Sequence, residues 1–305
     1  MSTKNLLITG ATGKQGGAVI NAIMADKQHA SQFTIFGLTR NVESASAKKL
    51  VAKYPSVKLV AGDMNDCSAI FSAVKEPIWG IFSVQTPVGK GATVETEEKQ
   101  GKDLVDAAIA NGVSHFVQTT VDRHGEHSSE NPTNVPPFIS KHRIEKHLEE
   151  KAKGSTMTYT ILRPVFFMDN LANNFPGKIV SATWWAALGP DRKLQMVNLQ
   201  DIGYFAAQAF INPTAPEYKN RGISLAGDEL SWAETDKLFK EKTGYGVPTT
   251  FSIFGYLLLW AIQDIGTMFA FFKDPGYAAD IPALKKLNPN LISLSMWLDM
   301  QKEKN

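Results

Sequence analysis

The sequence predicts an α/β protein: a doubly wound parallel sheet with a smaller, mainly helical C-terminal lobe. Three observations predict it. Short apolar runs recur through the first half of the chain, with helical stretches between them. A glycine-rich turn, Gly10-Ala11-Thr12-Gly13-Lys14-Gln15-Gly16, follows the first run directly and opens a helix. Past Arg163-Pro164 the rhythm decays into mostly helical patterns.

The runs are Leu6 to Thr9, Phe33 to Thr39, Lys58 to Ala61, Gly80 to Val84, His115 to Thr119 and Thr158 to Leu162. None alternates strictly, which suits strands buried on both faces. Between them, Thr96 to Ala110 sets Leu104, Val105, Ala108 and Ile109 on one side of a helix, and Asn111-Gly112 is a helix stop. Ser140 to Glu150 is another helix, carrying Ile144 and Leu148. Repeated β-α-β units give a parallel sheet with helices on both faces and right-handed crossovers.

In the second half, Asp201 reads as the N-cap of a helix whose apolar face holds Ile202, Phe205, Ala206, Ala209 and Phe210. Ser231-Trp232-Ala233-Glu234 is a capping box opening a helix that ends near Gly244. Ile223-Ser224-Leu225 reads as a further strand. The expected division is residues 1–165 for the sheet domain and 166–305 for the lobe, with the stretch near 195–225 returning to the sheet domain. No internal repeat or low-complexity segment stands out.

The 305 residues are 43% hydrophobic and 20% charged, enough apolar material for a substantial core. The net charge of +2 argues against a large basic face, so no direct nucleic-acid contact is expected. With one cysteine, Cys67, no disulfide forms within the chain. The composition suits a reducing compartment: the cytoplasm, and the nucleus as well if the role is regulatory. Met1-Ser2-Thr3-Lys4 leads straight into the first strand, so no signal peptide is expected. Phe251 to Phe272 is almost uncharged. Asp264, Gly255 and Gly266 interrupt it, and Pro248 and Pro275 flank it, so it reads as a buried or interfacial helix pair rather than a membrane span.

The glycines have the spacing G-x-x-G-x-x-G. In a strand–turn–helix setting the first allows the tight turn, the second lets backbone approach a pyrophosphate, and the third permits close helix–strand packing. The helix N-terminus offers free N–H groups and the positive end of its dipole to phosphates. Sites for NAD place an acidic residue at the end of the second strand; here Thr39-Arg40-Asn41 stands there. An arginine pairs with a 2′-phosphate that a carboxylate would repel, so Arg40 points to NADP(H). At the end of the third strand, Asp63 and Met64 are placed to bond and cover an adenine, or else form a plain strand-end turn.

Together these residues resemble the NmrA-like family, a branch of the atypical short-chain dehydrogenase/reductases. The resemblance rests on Gly10 to Gly17, Thr39-Arg40-Asn41, Gly62-Asp63, Glu98-Lys99-Gln100-Gly101-Lys102 and Lys141 with Glu145. Leu162-Arg163-Pro164-Val165-Phe166-Phe167-Met168-Asp169-Asn170 completes it. It covers about residues 4 to 210 and is weaker beyond. It implies a Rossmann domain that prefers NADP(H), and a small lobe closing over the nicotinamide. By position, Gly10, Ala11, Thr12, Gly13, Lys14, Gln15 and Gly16 cradle the pyrophosphate, and Arg40 takes the 2′-phosphate. Asp63 and Met64 flank the adenine, and Val84, Gln85 and Thr86 lie near the ribose. Lys99 and Lys141 reach cofactor oxygens, while Pro164, Val165, Phe166 and Phe167 line the nicotinamide.

The usual short-chain dehydrogenase pairs a tyrosine with a lysine four residues later. Here Lys141 is present, but the residue four earlier is Pro137. Phe138 to Ile144 is similar to isoflavone-reductase-like relatives, in which a lysine without the tyrosine serves proton transfer. Lys141 is therefore the candidate catalytic residue, with ribose binding alone as its other reading. Asp122, Arg123, His124 and His127 lie in the long loop after the fifth strand, as an acid/base group or a polar lid. His-x-x-His lacks a clear third ligand, so no metal is expected. Phe166, Phe167, Trp184 and Trp185 suit either an apolar substrate wall or core packing, and Tyr256, Leu257, Trp260 and Met268 suit a pocket roof or a partner surface.

Three functions follow. The first is an NADPH-dependent oxidoreductase reducing a small hydrophobic carbonyl, imine or enone. The second is a non-catalytic NADP(H) sensor acting through a protein partner. The third is a redox-neutral catalyst that keeps NADP(H) as part of its pocket. The missing tyrosine favours the second and third; the retained lysine and the aromatic-rich lobe favour the first.

Overall fold

The computed structural model describes residues 3–87 and 91–302; Met1 and Ser2 of the N-terminal stretch lie outside them. The first half alternates strand and helix: β1 (Lys4–Ile8), α1 (Lys14–Met24), α2 (Lys27–Ala30), β2 (Phe33–Thr39), α3 (Ala45–Lys53), β3 (Lys58–Ala61), α4 (Cys67–Ala73), β4 (Gly80–Ser83), α5 (Val94–Ala110), β5 (His115–Thr119), α6 (Pro136–Lys153) and β6 (Thr158–Pro164). The second half follows with β7 (Phe166–Phe167), α7 (Phe175–Leu188), β8 (Leu194–Val197), α8 (Leu199–Ile211), β9 (Arg221–Leu225), β10 (Asp228–Leu230), α9 (Trp232–Thr243), α10 (Ser252–Ala261), α11 (Gln263–Lys273), α12 (Ile281–Leu287) and α13 (Leu294–Lys302).

Seven strands form one sheet in the order β3-β2-β1-β4-β5-β6-β9. The pairings from β3 through to β6 are parallel. The order reverses direction at β1, where β2 lies on one side and β4 on the other, the arrangement of a doubly wound Rossmann fold. Side chains alternate across the sheet. Leu7, Phe36 and Phe116 join α4, α5 and α6 in one apolar layer. Leu6 and Gly80 pair in register, and Phe210 of α8 fills the space where a Gly80 Cβ would stand.

The chain divides into two compact units. The first comprises Met1–Thr120, Ser140–Leu162 and Ile202–Ile223; the second comprises Val121–Ile139, Arg163–Asp201 and Ser224–Asn305. A single boundary at 165 therefore misses Val121–Ile139, a loop whose Val121, Val135 and Phe138 join the apolar core of the second unit. The returning segment is Ile202–Ile223. The second unit holds a three-stranded sheet, β10-β8-β7, and a core rich in aromatic rings, among them Phe166, Trp184, Trp232, Phe272 and Trp297.

Three helix starts differ from the sequence reading; α5 begins at Val94 rather than Thr96, behind a Thr93 cap. α6 begins at Pro136 rather than Ser140, because a proline in the first helical turn gives up no intrahelical hydrogen bond. α8 begins at Leu199, and Asn198 Oδ1 accepts the Gln200 N–H at 2.7 Å. Asp201 is thus not the cap. Its carboxylate is buried and accepts from Asn288 Nδ2 and Ile292 N, both at 3.1 Å. The Ser231–Glu234 capping box forms, and Gly244 ends α9 in the left-handed region.

Candidate functional site

The motif residues of the first unit gather at the C-terminal ends of β1 to β5, where open α/β sheets place their ligands. β1 runs into Gly10, whose φ of +57° favours glycine. Gly13 N donates to Gly10 O at 2.8 Å and closes the turn. At Gly16 a Cβ would lie 2.4 Å from Gly10 O, so the turn closes only if position 16 carries no side chain. Gly13 caps α1 without a side-chain hydrogen bond, and the first turn carries no acidic residue. The N–H groups and positive dipole end of α1 are thus left for an anion.

Side chains hold this loop to the neighbouring strand ends. Thr9 Oγ1 accepts the Val84 N–H at 2.8 Å and joins the ends of β1 and β4. Thr119 Oγ1 donates to Gln15 Oε1 at 2.8 Å and fixes the start of α1 to the end of β5. Gln118 Nε2 donates to Gln85 Oε1 at 2.9 Å, and Gln85 Nε2 to Ser83 Oγ at 2.7 Å. Gln118 Oε1 is buried and accepts no hydrogen bond. Val84 is half-buried and Thr86 exposed.

Arg40 is exposed at the end of β2, and its guanidinium has no hydrogen-bond or ion-pair partner among the described residues. Asp63 follows β3 and accepts the Asn65 N–H at 2.8 Å, which makes an Asx turn and occupies one carboxylate oxygen. Met64 packs its half-buried side chain on the sheet core. Lys99 lies exposed on α5 and pairs with Asp103 one turn later; that hydrogen bond holds its ammonium pKa above the usual lysine value. Cys67 caps no chemistry: burial pushes its thiol up to about 11, so it stays a thiol at neutral pH.

Lys141 and Glu97 form a largely buried ion pair. Its origin is a close approach of α5 and α6: Ile144 Cδ1 lies 2.5 Å from where a Gly101 Cβ would stand. One turn earlier on each helix, the Glu97 carboxylate receives Lys141 Nζ on one oxygen and Ser140 Oγ on the other. Glu97 is 1% exposed. One turn further along α6, Glu145 is also buried and accepts from Thr120 Oγ1. Sequence reasoning singled out Lys141 but missed Glu97, Ser140, Gln118 and Thr119. A signal for Glu97 was present: positions 97, 101, 104, 105 and 108 form one helical stripe, and a lone carboxylate on an otherwise apolar stripe needs a partner.

The remaining motif residues lie in the second unit. Pro164 O accepts the Asp122 N–H at 3.2 Å, and Val165 N donates to Leu225 O at 3.1 Å. Phe166 is buried against Trp184 and Phe272, whereas Phe167 is half-exposed. Trp184 is wholly buried and packs edge-on against Trp232. Asp122 is a structural node. Its carboxylate accepts from His124 N, Gly125 N, Ser128 Oγ, Ser224 Oγ and Ala278 N. The buried Arg123 guanidinium donates to three backbone carbonyls, those of Val121, Ser128 and Asn131. The loop after β5 is thus held by a dense polar network. His124 adopts a φ of 85° and stacks on His127. Among the described residues no three His, Cys, Asp or Glu side chains converge on a metal position.

The family model of the NmrA-like family matches residues 2–302. The chain belongs to the NmrA-like family. An NmrA-like family domain-containing oxidoreductase, FrzB from Cladobotryum sp, is 25% identical over 295 residues, covering 89% of this chain and 84% of that protein. The structure of Citrobacter sp. triphenylmethane reductase complexed with NADP(H) superposes with a TM-score of 0.72 at 21% identity, over 97% of this chain and 99% of the other. The structure of NmrA, a negative transcriptional regulator, in complex with NADP gives 0.71 at 17% identity, over 100% and 98%. The same regulator is also known with NAD bound. These likenesses establish the fold of this NmrA-like chain.

Proposed function

We propose that this NmrA-like chain binds NADP(H) and acts as an NADPH-dependent oxidoreductase on a small hydrophobic carbonyl, imine or enone. The observation that carries the cofactor is the pairing of a side-chain-free cradle at Gly10 to Gly16 with a partnerless Arg40 at the end of β2. The cradle and the uncapped start of α1 suit a pyrophosphate, and the Arg40 guanidinium suits a 2′-phosphate. Asp63, Met64, Val84, Gln85 and Thr86 border the adenosine and ribose in this reading. Lys99 and Lys141 offer ammonium groups to cofactor oxygens. The names of FrzB and of triphenylmethane reductase agree with reductive chemistry.

The cofactor, when bound, supplies the hydride. Lys141 supplies the proton: its Nζ–H donates to the atom that gains negative charge, and Glu97 holds the ammonium in place. The aromatic content of the second unit suits an apolar substrate. The test is NADPH oxidation against a panel of hydrophobic carbonyls, imines and enones, with product analysis. Turnover that Lys141→Ala abolishes supports the reading. Full turnover in that variant removes Lys141 from the chemistry.

Pro137 in place of the tyrosine favours a second reading, in which the chain binds NADP(H) without turnover and reports the redox state to a protein partner. A redox-neutral conversion with the cofactor as pocket wall is the third, and product analysis without net NADPH oxidation identifies it.

A further inference from the structure

α10 is apolar on nearly every side, yet it lies largely in solvent. Gly255 seats it on α7, where a Cβ would lie 2.5 Å from Ala182 O, so the helix is fixed on one side. Its outer surface carries Phe251, Ile253, Phe254, Tyr256, Leu257 and Trp260; Trp260 is 84% exposed and Phe251 78%. The helix pair α10 and α11 was read from sequence as buried or interfacial. α11 does enter the core, through Phe269, Phe271 and Phe272. α10 does not.

Three occupants suit an apolar helix face: a bilayer, another protein, or a second copy of this chain. A bilayer fits poorly. Among the described residues no single helix is long and apolar enough to span one. The α10–α11 pair bends by 109°, and its arms of 10 and 11 residues each reach only about half of a ~30 Å hydrocarbon core. Helices that lie in a membrane surface carry Lys or Arg beside the apolar face, whereas α10 contains neither.

The area fits a protein contact between equals. Large aromatic side chains offer about 150–250 Å² each, so at these exposures the face presents roughly 700–800 Å². That exceeds the patch of a few hundred Å² common on a monomer and matches the ~800 Å² that each partner contributes to a standard interface. A two-fold contact sets the same patch against itself, so any charge on it meets its own kind. From Phe251 to Gln263 there is none. We propose that α10 is the interface of a two-fold dimer of this chain, with Trp260 and Leu257 as its anchors.

The test is the mass of the full chain by light scattering after size exclusion, from about 1 to 100 µM. Wild type is expected at twice its 33.5 kDa, and Leu257→Glu with Trp260→Glu at 33.5 kDa, a rise in dimer Kd of at least about 100-fold. Both positions face solvent, and an unchanged circular dichroism melt at the lowest concentration confirms that the variant folds. Independently, Leu257→Cys is expected to crosslink with a short bismaleimide, since Cys67 is buried and does not compete. A monomeric wild type overturns the proposal. So does a dimer that the double variant leaves intact, or a monomer that sediments with phosphatidylcholine vesicles.

Discussion

The buried Glu97 carboxylate bridges the Lys141 ammonium on one oxygen and the Ser140 hydroxyl on the other, across the α5–α6 contact. A free lysine side chain loses up to about 2 kcal/mol of rotamer freedom when it is fixed. Here the contact with Glu97 supplies that ordering. The result is a positioned point charge at the end of the sheet where the glycine loop lies.

Glu97→Gln keeps the size of the side chain and the Ser140 contact but removes the charge that holds Lys141. The expected effect is a fall in kcat of about 10–100-fold with little change in NADPH affinity, because a small displacement of a reacting group costs rate. Steady-state kinetics beside a cofactor titration check it. An unchanged kcat makes the pair structural only. Glu97→Ala is expected to destabilise the fold by about 1–3 kcal/mol, since it removes the acceptor of the Ser140 hydroxyl and the charge that pairs with Lys141, and a denaturant melt reads this.

Gly16→Ala tests the cradle. Its Cβ would fall 2.4 Å from Gly10 O, which no side-chain rotation relieves. The loop must move, so binding of either nicotinamide cofactor is expected to fall by at least about 100-fold, with a stability loss of about 1–3 kcal/mol. Calorimetric titration and a thermal melt measure the two effects. Retained affinity would show that the loop is not where cofactor sits.

Asp201 makes a signed prediction about pH. Burial pushes its pKa up to about 7, against the pull of hydrogen bonds from Ile292 and Asn288. Between the ordinary value of 3.8 and about 7 the folded state holds more protons than the unfolded state. Its contribution is therefore fully present below pH 4 and declines as pH rises toward 7. Asp201→Asn removes this titration. The stability of wild type relative to the variant is expected to fall between pH 5 and pH 8, by denaturant melts at each pH. A constant difference would contradict the assignment.

Much of the sheet was legible because its signals are local. Buried strands show as short apolar runs, and the turn at Gly10 to Gly16 shows as glycines where backbone must approach backbone. The Ser231 cap and the Gly244 stop are equally local. Glu97 and Lys141 were not legible as a pair, because 44 residues separate them and only the packing of Ile144 over Gly101 brings them together. Asp201 misled because a carboxylate before an apolar helix reads as a cap, while its partners lie 87 and 91 residues further on. α10 was legible as apolar but not as to which of the two readings, buried or interfacial, it follows, because that depends on Gly255 seating it on α7 with Phe251 and Trp260 left in solvent. Pro164 to Phe167 stand out in the sequence as a motif, but that Phe166 belongs to an aromatic core depended on Trp184 and Phe272.

In the proposed function, Arg40 selects the phosphorylated cofactor. The direct measurement is a calorimetric titration of wild type and Arg40→Glu with NADPH and with NADH. The expected result is tighter binding of NADPH by wild type, and a loss of about 10–100-fold for NADPH alone in the variant, the cost of replacing a charge-assisted contact by repulsion. Equal affinity of wild type for the two cofactors, or a variant that binds NADPH as well as wild type does, would contradict it.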